Sequence, residues 1–276
     1  SFGRPESGPA LLAVVRAIFG NSNEEIEVTA LHMTVGSDVN PILVERYSQE
    51  GFNPILEEAK QLQIPIRTEY RITDNAGQEI VDITNTNRYD FLLVGAGLSI
   101  MKQDLFKRNW QIKPHFSWLV GLLQKIGNSF FLYPGNLLND KTRVFIEQTK
   151  SSVGIFIDHG FKSISNMLVL LYLPDDVHLL QCAQTVLENN PEARSVILDV
   201  NGLITKNPAV IKNIRHFSDR FENRVTLLHK KRITADILNK QDFMLISYAS
   251  WDAVSSEYKN AMEKIPSTLI IREKQL

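Results

Sequence analysis

The sequence holds one cysteine, Cys182, in 276 residues. That excludes an intrachain disulfide and any metal centre built on a cysteine cluster, and it fits a reducing compartment. No sign of charge dominates: 30 basic side chains stand against 31 acidic ones. Such a balance gives no general attraction to nucleic acid or to an anionic lipid surface. With no aromatic stacking motif either, nucleic acid is not an expected partner. Long hydrophobic runs are missing. The most apolar stretch, Phe116 to Tyr133, is broken by Gln124, Lys125 and Asn128, short of the roughly 20 apolar residues that a spanning helix needs. Ser1-Phe2-Gly3-Arg4-Pro5-Glu6 lacks the basic start and apolar segment of a signal peptide. The absence of a starting methionine suggests a fragment of a longer protein. G-x-S-x-G, P-loop and H-E-x-x-H motifs are absent, and no enzymatic activity is expected. His32, His115, His159, His178, His216 and His229 include no pair at metal-ligand spacing, so no metal is expected.

What is present is ordinary globular material, 43% hydrophobic and 22% charged, long enough for two domains. The chain also repeats itself. Leu11, Leu12, Val15, Ile18 and Phe19 correspond to Leu179, Leu180, Ala183, Val186 and Leu187, each set at helical spacing. Each predicted helix follows a turn-like stretch, Arg4-Pro5-Glu6-Ser7 or Leu173-Pro174-Asp175-Asp176, in which Ser7 and Asp175 or Asp176 are good N-cap types. Strands are predicted over Ile26 to Met33 and Ser195 to Val200, then Pro65 to Ile72 and Arg224 to Lys230. Short helices follow at Gly77 to Thr84 and Thr234 to Asn239. Tyr89-Asp-Phe-Leu-Leu-Val94 matches Gln241-Asp-Phe-Met-Leu-Ile246, and short apolar runs of this kind are typical of buried parallel strands. Ser152 to Ile157 and Thr268 to Ile271 close the two copies.

Strands alternating with helices predict an α/β fold of two tandem units, each a mostly parallel five-stranded sheet flanked by helices. The boundaries expected are 1–160, with an insert at about 98–150 that should contain an amphipathic helix, and 161–276. The second copy opens with its own strand, Met167 to Leu173. In the first copy only Ser1-Phe2-Gly3 stands where that strand belongs. The two sheets are expected to pack against each other or against a second subunit.

The two-copy pattern resembles the C-terminal cytoplasmic region of monovalent cation:proton antiporters that carry tandem universal-stress-protein-like domains. The resemblance is carried by Ser151-Ser-Val-Gly-Ile-Phe-Ile-Asp-His-Gly160, by Met167 to Asp176 running into an apolar helix, and by Ser1-Phe-Gly-Arg-Pro-Glu-Ser-Gly8. It implies a regulatory module of a sodium or potassium/proton antiporter at the cytoplasmic face of the inner membrane. Its partners would be the exchanger domain of the same polypeptide and a second copy in a homodimer. The rivals are a free-standing tandem stress protein that binds ATP and a structural dimerisation module with degenerate ligand sites.

Relatives that bind ATP use a glycine loop after the fourth strand, where bare backbone approaches the phosphates. The first copy offers Gly95, Gly97 and Ser99 at that place, with Lys102 nearby. An adenine nucleotide is therefore a candidate ligand there. The glycine spacing departs from that of the family, and Gly95 and Gly97 can equally serve only to turn the chain. The second copy has Ser247-Tyr248-Ala249-Ser250 and no glycine after Gly202, which predicts no phosphate cradle. Asp175 and Asp176 can meet a ligand or cap the helix. His159, beside Asp158, is the candidate pH sensor. His229-Lys230-Lys231-Arg232 reads as the solvated end of a strand, and Cys182 as a core residue. The basic and aromatic side chains of the insert, Lys102, Lys107, Arg108, Trp110 and Lys113, suit lipid, the exchanger, a second subunit or the insert's own domain.

Overall fold

The computed structural model describes residues 1–20, 26–36, 40–96, 140–229, 231–262 and 265–274. The expected insert falls largely outside them. Nine strands are described: β1 (Val28–Val35), β2 (Ile66–Thr73), β3 (Phe91–Gly95), β4 (Ser152–Ile157), β5 (Asn166–Leu171), β6 (Arg194–Asp199), β7 (Val225–His229), β8 (Phe243–Ser247) and β9 (Ser267–Arg272). Strands β1 and β2 pair in parallel, and the other seven form one sheet in the order β3-β4-β9-β8-β5-β6-β7. Every pairing is parallel except β4 with β9. The fold is α/β with a mostly parallel sheet, as the alternation of strands and helices predicts.

Strand composition sets the layers. In β5, Met167 through Leu171 are all 0% exposed. Met167, Val169 and Leu171 enter one core, while Leu168 and Leu170 enter the other. Phe243 and Leu245 of β8 share the first core; Met244 and Ile246 share the second. A strand covered on both faces has no polar side, which is why these runs read as unbroken apolar sequence. The first core is roofed by α1 (Gly8–Phe19), α2 (Val44–Leu62), α5 (Leu179–Asn189) and α7 (Pro208–Arg220). The second lies under α3 (Ala76–Thr86), α4 (Asp140–Gln148), α8 (Ala235–Leu238) and α9 (Tyr248–Glu257). A short α6 (Leu203–Lys206) follows β6.

In the second half of the chain, the strands lie in spatial order third, second, first, fourth, fifth. The first half repeats that order if the first place is given to Ser1 and Phe2. Phe2 bridges His32 of β1 in parallel, its N–H donates to the Leu31 carbonyl at 3.1 Å, and the Ser1 nitrogen donates to the Leu93 carbonyl of β3 at 2.6 Å. Two residues thus span the gap between β1 and β3.

The strands of the two halves meet edge to edge within the seven-stranded sheet. Strand β4 pairs antiparallel with β9 in the register Gly154↔Ile271, Ile155↔Ile270 and Phe156↔Leu269. Both strands are apolar on both faces, so each needs helices above and below and a strand beside it. At Gly154 a Cβ would lie 2.6 Å from Phe91 Cζ and 3.1 Å from Leu269 Cδ1; glycine permits this close joint. Arg272 secures it by donating to the carbonyls of Ser151 (2.8 Å) and Thr149 (2.7 Å). Above it, the Asn189 amide of α5 donates to the Ile18 carbonyl of α1 at 2.6 Å, satisfying a carbonyl that the helix end leaves open.

Ser7 does stand at the N-cap of α1, but its side chain makes no capping bond. A 3₁₀ turn over Pro5–Ser7 precedes the helix, and the Gly8 N–H donates to the Pro5 carbonyl, so the cap has little left to do.

Candidate functional site

Open α/β sheets bind ligands outside the carboxyl ends of their strands, where the strand order reverses. In the second half that place lies between β5 and β8. After β5 the chain turns through a 3₁₀ helix, Pro174–His178, which brings Asp176 back over the strand ends. Asp176 Oδ2 accepts from the backbone N–H groups of Tyr172 and Leu173, each at 2.7 Å, and from Ser250 Oγ at 2.7 Å. Its Oδ1 accepts from Ser247 Oγ. Ser247 Oγ in turn accepts from the Ser250 N–H at 3.1 Å, capping α9. Asp176 and Ser250 are 0% exposed and Ser247 is 3%.

This closed network occupies the crevice. A buried carboxylate with both oxygens engaged, by four donors in all, has most of its hydrogen-bonding capacity taken up within the chain. The Asp176 side chain serves the turn, as its reading as a capping residue predicts, while its neighbour Asp175 is exposed. Outside the network, the Tyr172 hydroxyl donates to Glu257 Oε2 at 2.6 Å. That bond raises the tyrosine pKa and, with a second bond from Tyr258, lowers that of Glu257.

In the first half, Gly95 ends β3 at the corresponding place. Gly97, Ser99 and Lys102 lie outside the described residues. Gly95 has no positive φ, and a Cβ there would meet Leu11 Cδ1 at an ordinary 3.6 Å. Neither backbone conformation nor packing requires glycine at 95, so a sharp turn does not explain it.

His159 lies in the exposed turn between β4 and β5. Its N–H donates to Ser267 Oγ at 3.0 Å. Asp158 accepts from the N–H groups of Gly160 and Phe161, each at 2.8 Å, and Gly160 has φ +85°, a conformation that favours glycine. The Asp-His-Gly segment shapes the connection between the halves. Desolvation lowers the His159 pKa, and the Asp158 charge opposes the shift.

Two histidines that composition does not distinguish are the better anchored. His229 is paired in register with Asp199 across β6 and β7, and its Nδ1 donates to Asp199 Oδ2 at 2.7 Å. Asp199, 0% exposed, also accepts from the N–H groups of Leu203 (2.8 Å) and Ile204 (3.2 Å) at the start of α6. His229 is therefore not simply the solvated start of a basic run. An Asp closing one strand and a His closing the next is the sequence signal for this pair. His32, the second, is buried in the first half at 6% exposure. Cys182 packs against the first core, where burial pushes its thiol up to about 12. Among the described residues, no group of three His, Cys, Asp or Glu side chains can hold a metal ion, and no helix is long and apolar enough to cross a membrane.

No family model matches the chain, and no curated protein matches it. Solved structures do. The chain is similar to the cytoplasmic domain of a prokaryotic cation chloride cotransporter, with a TM-score of 0.52 and 10% identity over 99% of this chain and 93% of that one. It also matches a universal stress protein so described from Pseudomonas aeruginosa and a functionally unknown protein of the same species, each with a TM-score of 0.48 and 9% identity over 94% of this chain and 86% of the other. The last two scores are too low to argue from. At these identities the first likeness shows the fold, extending over nearly the whole length of both chains, and nothing finer.

Proposed function

We propose that the chain is a regulatory module of a membrane transporter, acting at the cytoplasmic face, and that the transporter is a cation:proton antiporter. The observation that carries this reading is the likeness in fold, over 99% of this chain, to the cytoplasmic domain of a transporter. The antiporter assignment rests on the resemblance of Ser151 to Gly160, which here forms β4 and the turn joining the halves. The closed Asp176 network supports regulation through contacts in the second half, since the carboxylate at that crevice is already held by four donors of the chain itself. A free-standing nucleotide-binding protein would have to rely on the first half alone.

The reading places a set of spanning segments ahead of Ser1 in the same gene. An open reading frame encoding about a dozen apolar segments of roughly 20 residues there supports it. Translation starting just before Ser1 overturns it. Given such a gene, deleting the module from the complete transporter should alter the regulation of ion flux in vesicles while leaving the transport path intact. Calorimetric titration of the chain with ATP, ADP and AMP tests the nucleotide arm separately. No heat at millimolar ligand removes nucleotide sensing and leaves the transporter reading standing.

A further inference from the structure

Phe2 is 4% exposed and holds the strand position between β1 and β3. Its carbonyl is 3.1 Å from His32 Nδ1. A carbonyl only accepts, so Nδ1 carries the proton. The ring of His32 stacks on Phe2 with centroids 5.2 Å apart, meets Phe52 edge-on at 5.9 Å and lies 5.8 Å from Tyr70. On the remaining side stands the backbone of α2 at Gly51, where a Cβ would lie 2.5 Å from His32 Cδ2. The box is apolar on nearly every wall. The ionisable groups around it are Glu6, from the turn before α1, the Tyr70 phenol of β2, whose hydroxyl donates to Thr34 Oγ1 at 2.8 Å, and, one residue before Phe2, the buried Ser1 amine on the Leu93 carbonyl. Helix α2 presents Gly51 and Phe52, neither of them charged.

We propose that His32 is a proton-operated latch: as a neutral imidazole it holds Phe2 between β1 and β3, and as an imidazolium it releases the N-terminal residues. The charged ring can keep its bond to the Phe2 carbonyl, but inside the box it loses its hydration. Displacing Phe2 uncovers one face of the ring to water. Burial accordingly lowers the His32 pKa, against the raising effects of the Phe2 carbonyl and Glu6. With Phe2 released, one wall of the box opens to water and the desolvation that disfavours the charged ring is relieved in part. As pH falls through the interval between the released and docked pKa values, the docking equilibrium moves toward release, by at most about tenfold per pH unit. The regulatory meaning of the latch rests on the transporter reading, in which the chain ahead of Ser1 leads to the membrane; the latch itself does not.

The test uses the 276-residue chain with its Ser1 amine acetylated, which keeps an N–H for the Leu93 carbonyl and removes a buried amine whose pKa burial lowers from 8.0 to about 5, and it needs no membrane. The His32 ring is titrated by NMR while the exchange protection of the Phe2 amide, which donates to Leu31, is followed from pH 8 to pH 5 with intrinsic exchange divided out. The expected result is that His32 titrates below 6.5 and that Phe2 protection falls over the same interval. His32→Phe keeps an aromatic ring and removes the proton, so Phe2 protection should become independent of pH. The proposal is overturned if His32 protonates while Phe2 stays protected, or if Phe2 is released with the same midpoint in the variant. Should His32→Phe fail to fold, coincidence or separation of the two wild-type midpoints decides. A gene without spanning segments would sink the transporter reading and leave these outcomes unchanged.

Discussion

Ser250 Oγ donates to Asp176 Oδ2 at 2.7 Å across 74 positions of sequence. The bond ties the first turn of α9 to the turn after β5, at the place where a ligand would otherwise enter. Asp176→Ala removes an acceptor from four donors at once and leaves them buried. Such a loss should cost about 2–4 kcal/mol, read as a lower midpoint in urea denaturation. Asp175→Ala, at an exposed neighbour, should stay within about 0.5 kcal/mol. Equal effects would mean that the network is not what closes the crevice.

Glycine 154 and glycine 95 end differently under the same substitution. Gly154→Ala sets a Cβ 2.6 Å from the Phe91 ring, which is itself held edge-on by Phe19 at 5.6 Å. The expected loss is about 1–3 kcal/mol. Gly95→Ala meets only a normal contact and should be neutral or stabilising by up to about 1 kcal/mol. Thermal unfolding of both variants makes the comparison.

Cleavage after the exposed Lys162 should not separate the halves. The β4–β9 pairing and the Asn189 bond to Ile18 hold across the cut. Limited trypsin digestion followed by size exclusion should give two fragments that co-elute in native buffer and part in denaturant. Separation in native buffer would show that the connecting turn, not the joint, keeps the halves together.

Cys182 should resist thiol reagents at pH 8 in the native chain and react at once when unfolded. Its folded pKa of about 12 exceeds the ordinary 9. The folded state therefore holds its proton where the unfolded state releases it, and the stability due to this group is full below pH 9 and declines from there toward pH 12. Denaturation midpoints of wild type and Cys182→Ala between pH 8 and 10.5 should draw together as pH rises.

The sequence reading locates the strands well because most are buried on both faces: Met167 to Leu171 and Phe243 to Ile246 need no periodicity to be recognised. It names no helix over Val44–Leu62 or Pro208–Arg220. In the first of these, Gly51 and Pro54 interrupt the helical pattern. The cause is spatial, since Gly51 makes room for His32, a residue 19 positions earlier. The β4–β9 joint was not legible for a related reason. An apolar strand of six residues has the same composition whether its neighbour is parallel, antiparallel or absent. Of the proposed ligand residues only Gly95 is described. The Asp176 network needed Ser247 and Ser250 brought to one point, which spacing alone does not reveal.

Because β9 runs antiparallel to β4, the parallel strands of the two halves point in opposite directions. The carboxyl ends of β3 and β4 therefore open at one rim of the long sheet, and those of β5 and β8 at the other. The molecule is bipolar, with Gly95 at one pole and the sealed Asp176 site at the opposite pole. One small ligand cannot touch both. Any coupling between the two poles has to cross the joint, through the β4–β9 pairing or the helices packed above it.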